Sequence, residues 1–179
     1  MLVGGFDIGQ KTDHSVLVTL RDIDDGETWL VEDVCQLPLG LPFKEQLARL
    51  QSRLDNLDML AIDSGGTGQA VAEIITGANL KKTVPIVIMG GTSKGKLVKG
   101  RVVVGKSYLV QGVLNMIATG WLAVAPDAGG RDVLQLEMKA FQYKPGGRFR
   151  KAEAAPGEHD DAVMALSLAA YLARTLVRV

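Results

Sequence analysis

The stretch "LVGGFDI" (Leu2–Ile8) decides how this chain is read. Apolar residues surround a pair of glycines, and an aspartate stands between Phe6 and Ile8. The apolar run predicts a buried strand, broken open by Gly4 and Gly5. A charged side chain is expensive to bury in such a strand unless it is paired or coordinates a metal. Asp7 is therefore the first candidate functional residue. Ser15–Arg21 ("SVLVTLR") reads as a second, β-branched strand, and "DDG" at 24–26 signals a turn before a third strand near Thr28–Gln36. Strands spaced this closely predict an antiparallel meander.

Beyond the meander the period changes. Lys44–Leu54 carries apolar residues at 47, 50 and 54, a helical spacing. Met59–Ile62 is a short apolar strand ending in Asp63. "SGGTG" and a helix to about Ile75 follow. "VPIVIM" (84–89) reads as another buried strand, and the Gly/Lys-rich segment 90–101 as a mobile loop. Lys106–Thr119 predicts a helix ended by Gly120. "WLAVA" (121–125) predicts a short final strand, Val133–Tyr143 a helix, and "KPGGRFR" (144–150) a loop. Ala162–Val177 is apolar on nearly every side and predicts a buried closing helix. The interleaving of strands and helices implies a mixed α/β sheet with helices on both faces, in one domain over residues 1–179.

Composition narrows the chemistry. The single cysteine, Cys35, excludes an internal disulfide, and no Cys/His spacing suits zinc, so any metal would be held by oxygen. No apolar run approaches the roughly 20 residues of a membrane span and no signal peptide precedes the first strand, so no membrane partner is expected, and the lone cysteine fits a reducing cytoplasm. The net charge of zero hides segregation. Residues 1–73 carry thirteen acids and five bases, whereas 74–126 carry seven bases and no acid. Lys94, Lys96, Lys99, Arg101 and Lys106 lie in that basic stretch. Lys144, Arg148, Arg150 and Lys151 form a second one. Two basic segments beside an acidic cluster suit a polyanion held near bound cations, and both are candidate DNA contacts.

The acids converge on element ends. Asp63 closes a strand, where α/β sheets bind ligands. Asp160 and Asp161 open the last helix, where one of the two is expected to act as an N-cap. If Asp7, Asp63, Asp160 and Asp161 share a site, their repulsion raises one another's pKa, and divalent cations relieve it. Hard oxygen ligands point to Mg²⁺ or Mn²⁺. Two such ions about 4 Å apart can activate a water and stabilise the leaving oxygen of a phosphodiester. His159 and His14 stand near these acids as candidates to orient water or phosphate, and Lys11 as a candidate phosphate contact. "GGTSKGKL" (90–97) imitates a P-loop, but Leu97 occupies the place of the magnesium-binding Ser/Thr and no convincing helix follows. Trp29, Trp121 and Met164 are expected to pack.

Three segments together, "GFDIGQKTDHSVLVTL", "LDMLAIDSGGTGQAVAEII" and "APGEHDDAVMALSLAAYL", resemble the nuclease domain of the tailed-bacteriophage large terminase subunit, within the RNase H-like nuclease superfamily. "VGKSYLVQGVLNMIATGWLAVA" and "LEMKAF" are similar to the same pattern, so the resemblance spans most of the chain. It implies an endonuclease that cuts concatemeric double-stranded DNA during genome packaging in the host cytoplasm. Asp7 would bridge two metals, Asp63 would hold one and Asp160 the other, with Asp161 supporting or sharing the last role. The implied partners are a packaging ATPase domain, a small terminase subunit and a portal. Two rivals share parts of the pattern. A Holliday-junction resolvase shares fold and metal chemistry. An actin- or sugar-kinase-like ATPase lobe shares "DIGQKT" and "DSGGTG" but does not require an acidic pair on the final helix. A non-catalytic DNA-binding module would use the basic patches alone.

Overall fold

The structure, a computed structural model, describes residues 1–9, 13–66, 68–77, 83–146, 149–154 and 159–176, with the backbone alone for 76–77 and 142–154. The meander forms as its pattern requires: β1 (Leu2–Asp7) pairs antiparallel with β2 (Val16–Asp22), and β2 with β3 (Trp29–Gln36). Helix α1 (Phe43–Asp55) then crosses to β4 (Met59–Asp63), which lies parallel to β1. After α2 (Gly68–Gly77) the chain adds β5 (Thr83–Met89) parallel to β4, then the hairpin of β6 (Lys96–Val98) and β7 (Arg101–Gly105). Helix α3 (Lys106–Ala118) leads to β8 (Leu122–Gly129), which pairs parallel with β3 at the other edge. Helix α4 (Arg131–Ala140), a separate hairpin of β9 (Phe141–Gly146) and β10 (Phe149–Ala154), and α5 (Asp161–Leu176) complete the described chain. The large sheet runs β6-β7-β5-β4-β1-β2-β3-β8, mixed as expected.

Alternation along the strands sorts the core into two layers. Val3, Val18, Ala61, Ile86 and Val104 pack with α3, α4 and α5 on one face. Phe6, Leu17, Leu60 and Ile62 pack with Leu50 of α1 and with Val71, Ala72 and Ile75 of α2 on the other. Helix α5 is buried for nearly all its length, as its all-round apolar sequence demands. Among the described residues no helix is long and apolar enough to cross a membrane.

Four expectations are corrected. Segment 90–101 is a loop only as far as Gly95, and beyond it the chain forms β6 and enters β7. Lys99 and Gly100 both take positive φ (48° and 78°), which makes the two-residue turn of the β6–β7 hairpin. Gly105 N–H donates to Ser93 O (2.9 Å) and Ser107 N–H to Gly91 O (3.1 Å), tying the loop to the start of α3. Turn-forming residues thus belonged to a hairpin, which their composition concealed. "KPGGRFR" falls across β9 and β10, with residues 147 and 148 outside the described part, and the preceding helix stops at Ala140 rather than Tyr143. Trp29 is buried and donates its indole N–H to Gly26 O (3.2 Å), but Trp121 is 49% exposed. Lys96 opens an exposed edge strand and no helix follows it, so the P-loop imitation is only that.

Gly5 sets the spacing between β1 and α5. A Cβ there would collide with the backbone of α5, at Ala165 O and Ala169 N. Helix and strand therefore meet backbone to backbone. Replacement of Gly5 by Val is expected to lower stability by about 3 kcal/mol or more through overpacking against atoms that cannot rotate away. An unchanged urea midpoint for Gly5→Val would refute this account of the contact.

Candidate functional site

The register of the parallel strands builds the site. Phe6 pairs with Ile62 between β1 and β4, so the next residues, Asp7 and Asp63, end adjacent strands side by side on the face covered by α5. Strand neighbours lie about 4.8 Å apart. The start of α5 brings Asp160 and Asp161 to the same edge, and β7 ends where Lys106 begins α3.

Asp7 is the electrostatic centre. Burial raises its pKa well above the ordinary value, and the carboxylates of Asp63, Asp161 and Asp160 raise it further, while Lys106 pulls it down. Burial also raises Asp63, whose Oδ1 accepts the Gly65 N–H at 2.7 Å, an opposing bond. Asp161 is raised first by burial and is pulled down by the His14 N–H that donates to its Oδ2 at 3.0 Å. Asp13 and Asp160 push it up, and His159, whose Nδ1 lies 3.7 Å from Oδ2, pulls it down. Four carboxylates thus share one end of the sheet, coupled through Asp7.

One cation of the protein already lies among them. Lys106 Nζ contacts Asp160 Oδ2 at 2.6 Å, with both side chains partly buried. A lysine in the first turn of a helix opposes the helix dipole, and α3 has no acid in that turn to offset it. Asp160 supplies the compensation from a different helix. Lys106 therefore belongs with the carboxylates rather than with the outer basic surface. Among the described residues no three Asp, Glu, His or Cys side chains stand close enough to hold an ion as they are placed.

The expectation that one of the paired aspartates caps α5 is also corrected. Asp160 O accepts the Met164 N–H (2.8 Å), which makes Asp160 the backbone N-cap, but its side chain faces Lys106. The N–H groups of Ala162 and Val163 instead donate to Glu137 Oε2 of α4, at 2.7 and 3.2 Å. Glu137 is one turn beyond Leu134 on the buried stripe of α4, and a charged residue on an apolar stripe was the signal that could have found it. His14 was only a weak candidate from sequence, yet it enters the site through its backbone. Its Nδ1 donates to Leu37 O (2.8 Å), and its ring meets His159 edge-on at 5.6 Å.

The basic candidates divide. Lys94 and Lys96 are exposed on and beside β6, in the segment bonded to α3. Lys99 is exposed and Arg101 is half-buried at the far turn of the hairpin, where Arg101 Nη2 lies 3.6 Å from Glu73 of α2. Lys11 and Arg148 fall outside the described residues, and Lys144, Arg150 and Lys151 are described by backbone alone, on β9 and β10.

This sheet order, with acids at the ends of β1 and β4 and at the start of a buried α5, is an RNase H-like fold. No protein-family model and no curated protein matches the sequence. Solved structures do. The large terminase nuclease of the thermophilic phage G20c is 23% identical, over 94% of this chain and 80% of its own, with a TM-score of 0.69. The large terminase nuclease domain of bacteriophage SPP1, determined with bound Mn, is 10% identical over 94% and 84%, with a TM-score of 0.61. The fowlpox virus resolvase in complex with Holliday junction DNA is a weaker fold match, 15% identical over 99% of both chains at a TM-score of 0.55. The chain has the fold of viral terminase nuclease domains.

The raised pKa of Asp7 has a sign that can be checked. A carboxyl held above its ordinary value favours the fold most when protonated, at acid pH. That contribution is lost as pH rises from the ordinary carboxylate value of about 4 through the folded value. Asp7→Asn is therefore expected to raise the melting temperature of the metal-free protein, by a margin that widens from pH 4 toward neutrality. A margin independent of pH would show that Asp7 is not strained in the fold.

Proposed function

We propose that this chain is the nuclease domain of a large terminase subunit, a metal-dependent endonuclease that cuts concatemeric double-stranded DNA during genome packaging. The observation that carries the reading is Asp7, half-buried and facing Asp63, Asp160 and Asp161, with the Lys106 ammonium group as partial relief. Such an arrangement costs stability and makes chemical sense where cations neutralise it. The donor set is oxygen alone, which fits Mg²⁺ or Mn²⁺. The SPP1 relative was determined with bound Mn, in keeping with that choice.

In this reading Asp7 would serve both cations, Asp63 would hold one and Asp160 the other, with Asp161 supporting or sharing that last role. Divalent cations there would lower the pKa of the attacking water and stabilise the departing 3′ oxygen. The protein's own groups position these events. Gly65 N–H orients Asp63, His14 N–H orients Asp161, and Lys106 holds Asp160 in a charge-neutral pair until a cation and a phosphate compete for both partners. Oxygens of the DNA phosphate would complete the coordination that the acids leave open. Lys94, Lys96, Lys99 and Arg101, with Lys144, Arg148, Arg150 and Lys151, would hold the backbone without reading bases. A packaging ATPase domain, a small terminase subunit and a portal would be the partners in the host cytoplasm.

The resolvase likeness supports a second reading, cleavage of four-way junctions. Plasmid DNA and a synthetic junction separate the two. With Mn²⁺ the parent chain is expected to nick and linearise plasmid with little sequence preference, and Asp7→Asn to lose at least a thousandfold of that rate, about 4 kcal/mol of transition-state stabilisation. Plasmid cleavage that survives Asp7→Asn would end the nuclease assignment, and cutting confined to the junction would favour the resolvase. DNA affinity should fall steeply as salt rises. An affinity unaffected by salt would remove the basic segments from the DNA surface.

A further inference from the structure

Helix α5 begins with two acids, yet a third acid, from another helix, satisfies its first free N–H groups. Glu137 is 5% exposed and makes both bonds through one oxygen, Oε2. The first four N–H groups of a helix need partners, and the residue at the N-cap ordinarily supplies one. Asp160 occupies that backbone position but its carboxylate is turned to Lys106. Asp161 is turned to His14. Capping from α4 is what permits both carboxylates to turn away from the N–H groups of their own helix.

Charge deepens the point. Glu137 is itself destabilised by burial and by the nearby Asp161 and Asp160, so placing a carboxylate here is unfavourable for the cluster as a whole. A serine or threonine at position 160 would cap the helix with no buried charge. The arrangement makes sense when the N-cap side chain is needed for something else.

We propose that Glu137 is a positioning residue of the carboxylate site: by capping α5 from α4 it fixes the first turn and releases Asp160 and Asp161 to bind cations. The proposal rests on the cation-binding reading of those two aspartates. Glu137 touches no substrate atom. It acts through the backbone at Ala162 and Val163, immediately after the acids it serves.

The test is Mn²⁺ binding to the purified chain by calorimetric titration, beside amide hydrogen exchange at Ala162 and Val163 and thermal melting without metal. Glu137→Ala and Glu137→Asp both remove the reach to α5, and Glu137→Asp keeps the charge and most of the volume should Glu137→Ala fail to fold. Each is expected to speed exchange at the two amides and to weaken Mn²⁺ binding at least tenfold, the scale on which residues that orient metal ligands act. Glu137→Gln keeps an acceptor oxygen and should stay within about threefold of the parent. Folded Glu137→Asp that binds Mn²⁺ as the parent does, whatever its melting temperature, would overturn the proposal and leave Glu137 a structural cap. Failure of the parent itself to bind Mn²⁺ more tightly than Asp7→Asn would instead sink the cation-site reading.

Discussion

The structure depends on the contact between α5 and β1 at Gly5. Because that residue has no side chain, Ala165 and Ala169 bring the helix backbone against the strand itself. Two residues further along the same face stands Asp7, and one turn before Ala165 stands Asp161. The depth of the helix therefore governs how near the acids of α5 approach the acid of β1. A Cβ at position 5 would move the whole helix outward and open the site, even though Gly5 has no chemistry of its own.

The site built on this contact is a concentration of negative charge that the fold tolerates. Two devices reduce the repulsion without removing it. The positive end of the α5 dipole faces the carboxylates, and Lys106 takes Asp160 in a short ion pair. Lys106 also pulls Asp7 down, but burial and the three neighbouring acids outweigh it and hold Asp7 well above its ordinary pKa. Such tension at one point, in a sheet otherwise packed with well-buried apolar residues on both faces, is what the proposed cation-binding reading accounts for.

Much of this was legible in the sequence, and the parts that were not share a cause. Alternation and helical periodicity placed β1 to β5, α1 to α3 and α5 within a few residues, because each element buries one defined face. The β6–β7 hairpin was hidden because it lies at an edge, with β6 exposed throughout, and an edge strand of this kind carries no hydrophobic period. β9 and β10 were hidden likewise by glycine, proline and charge. In the site, Asp7, Asp63, Asp160 and Asp161 were legible singly, as charges at the borders of apolar elements. The ion pair of Lys106 with Asp160 was hidden, because a lysine in a basic stretch shows nothing of the helix opposite.

The sequence alone determined the strand that carries Asp7, the glycines that leave room beside it, and the burial of the last helix. These are local properties of residue type and spacing. Only the tertiary structure decided which acids meet, because the register of β1 on β4 and the depth of α5 are set between segments more than fifty residues apart. It also decided what each charge does. Asp160 pairs with Lys106, Asp161 receives His14, and Glu137 caps α5, since hydrogen bonds and ion pairs are made with whatever the fold brings within about 3 Å.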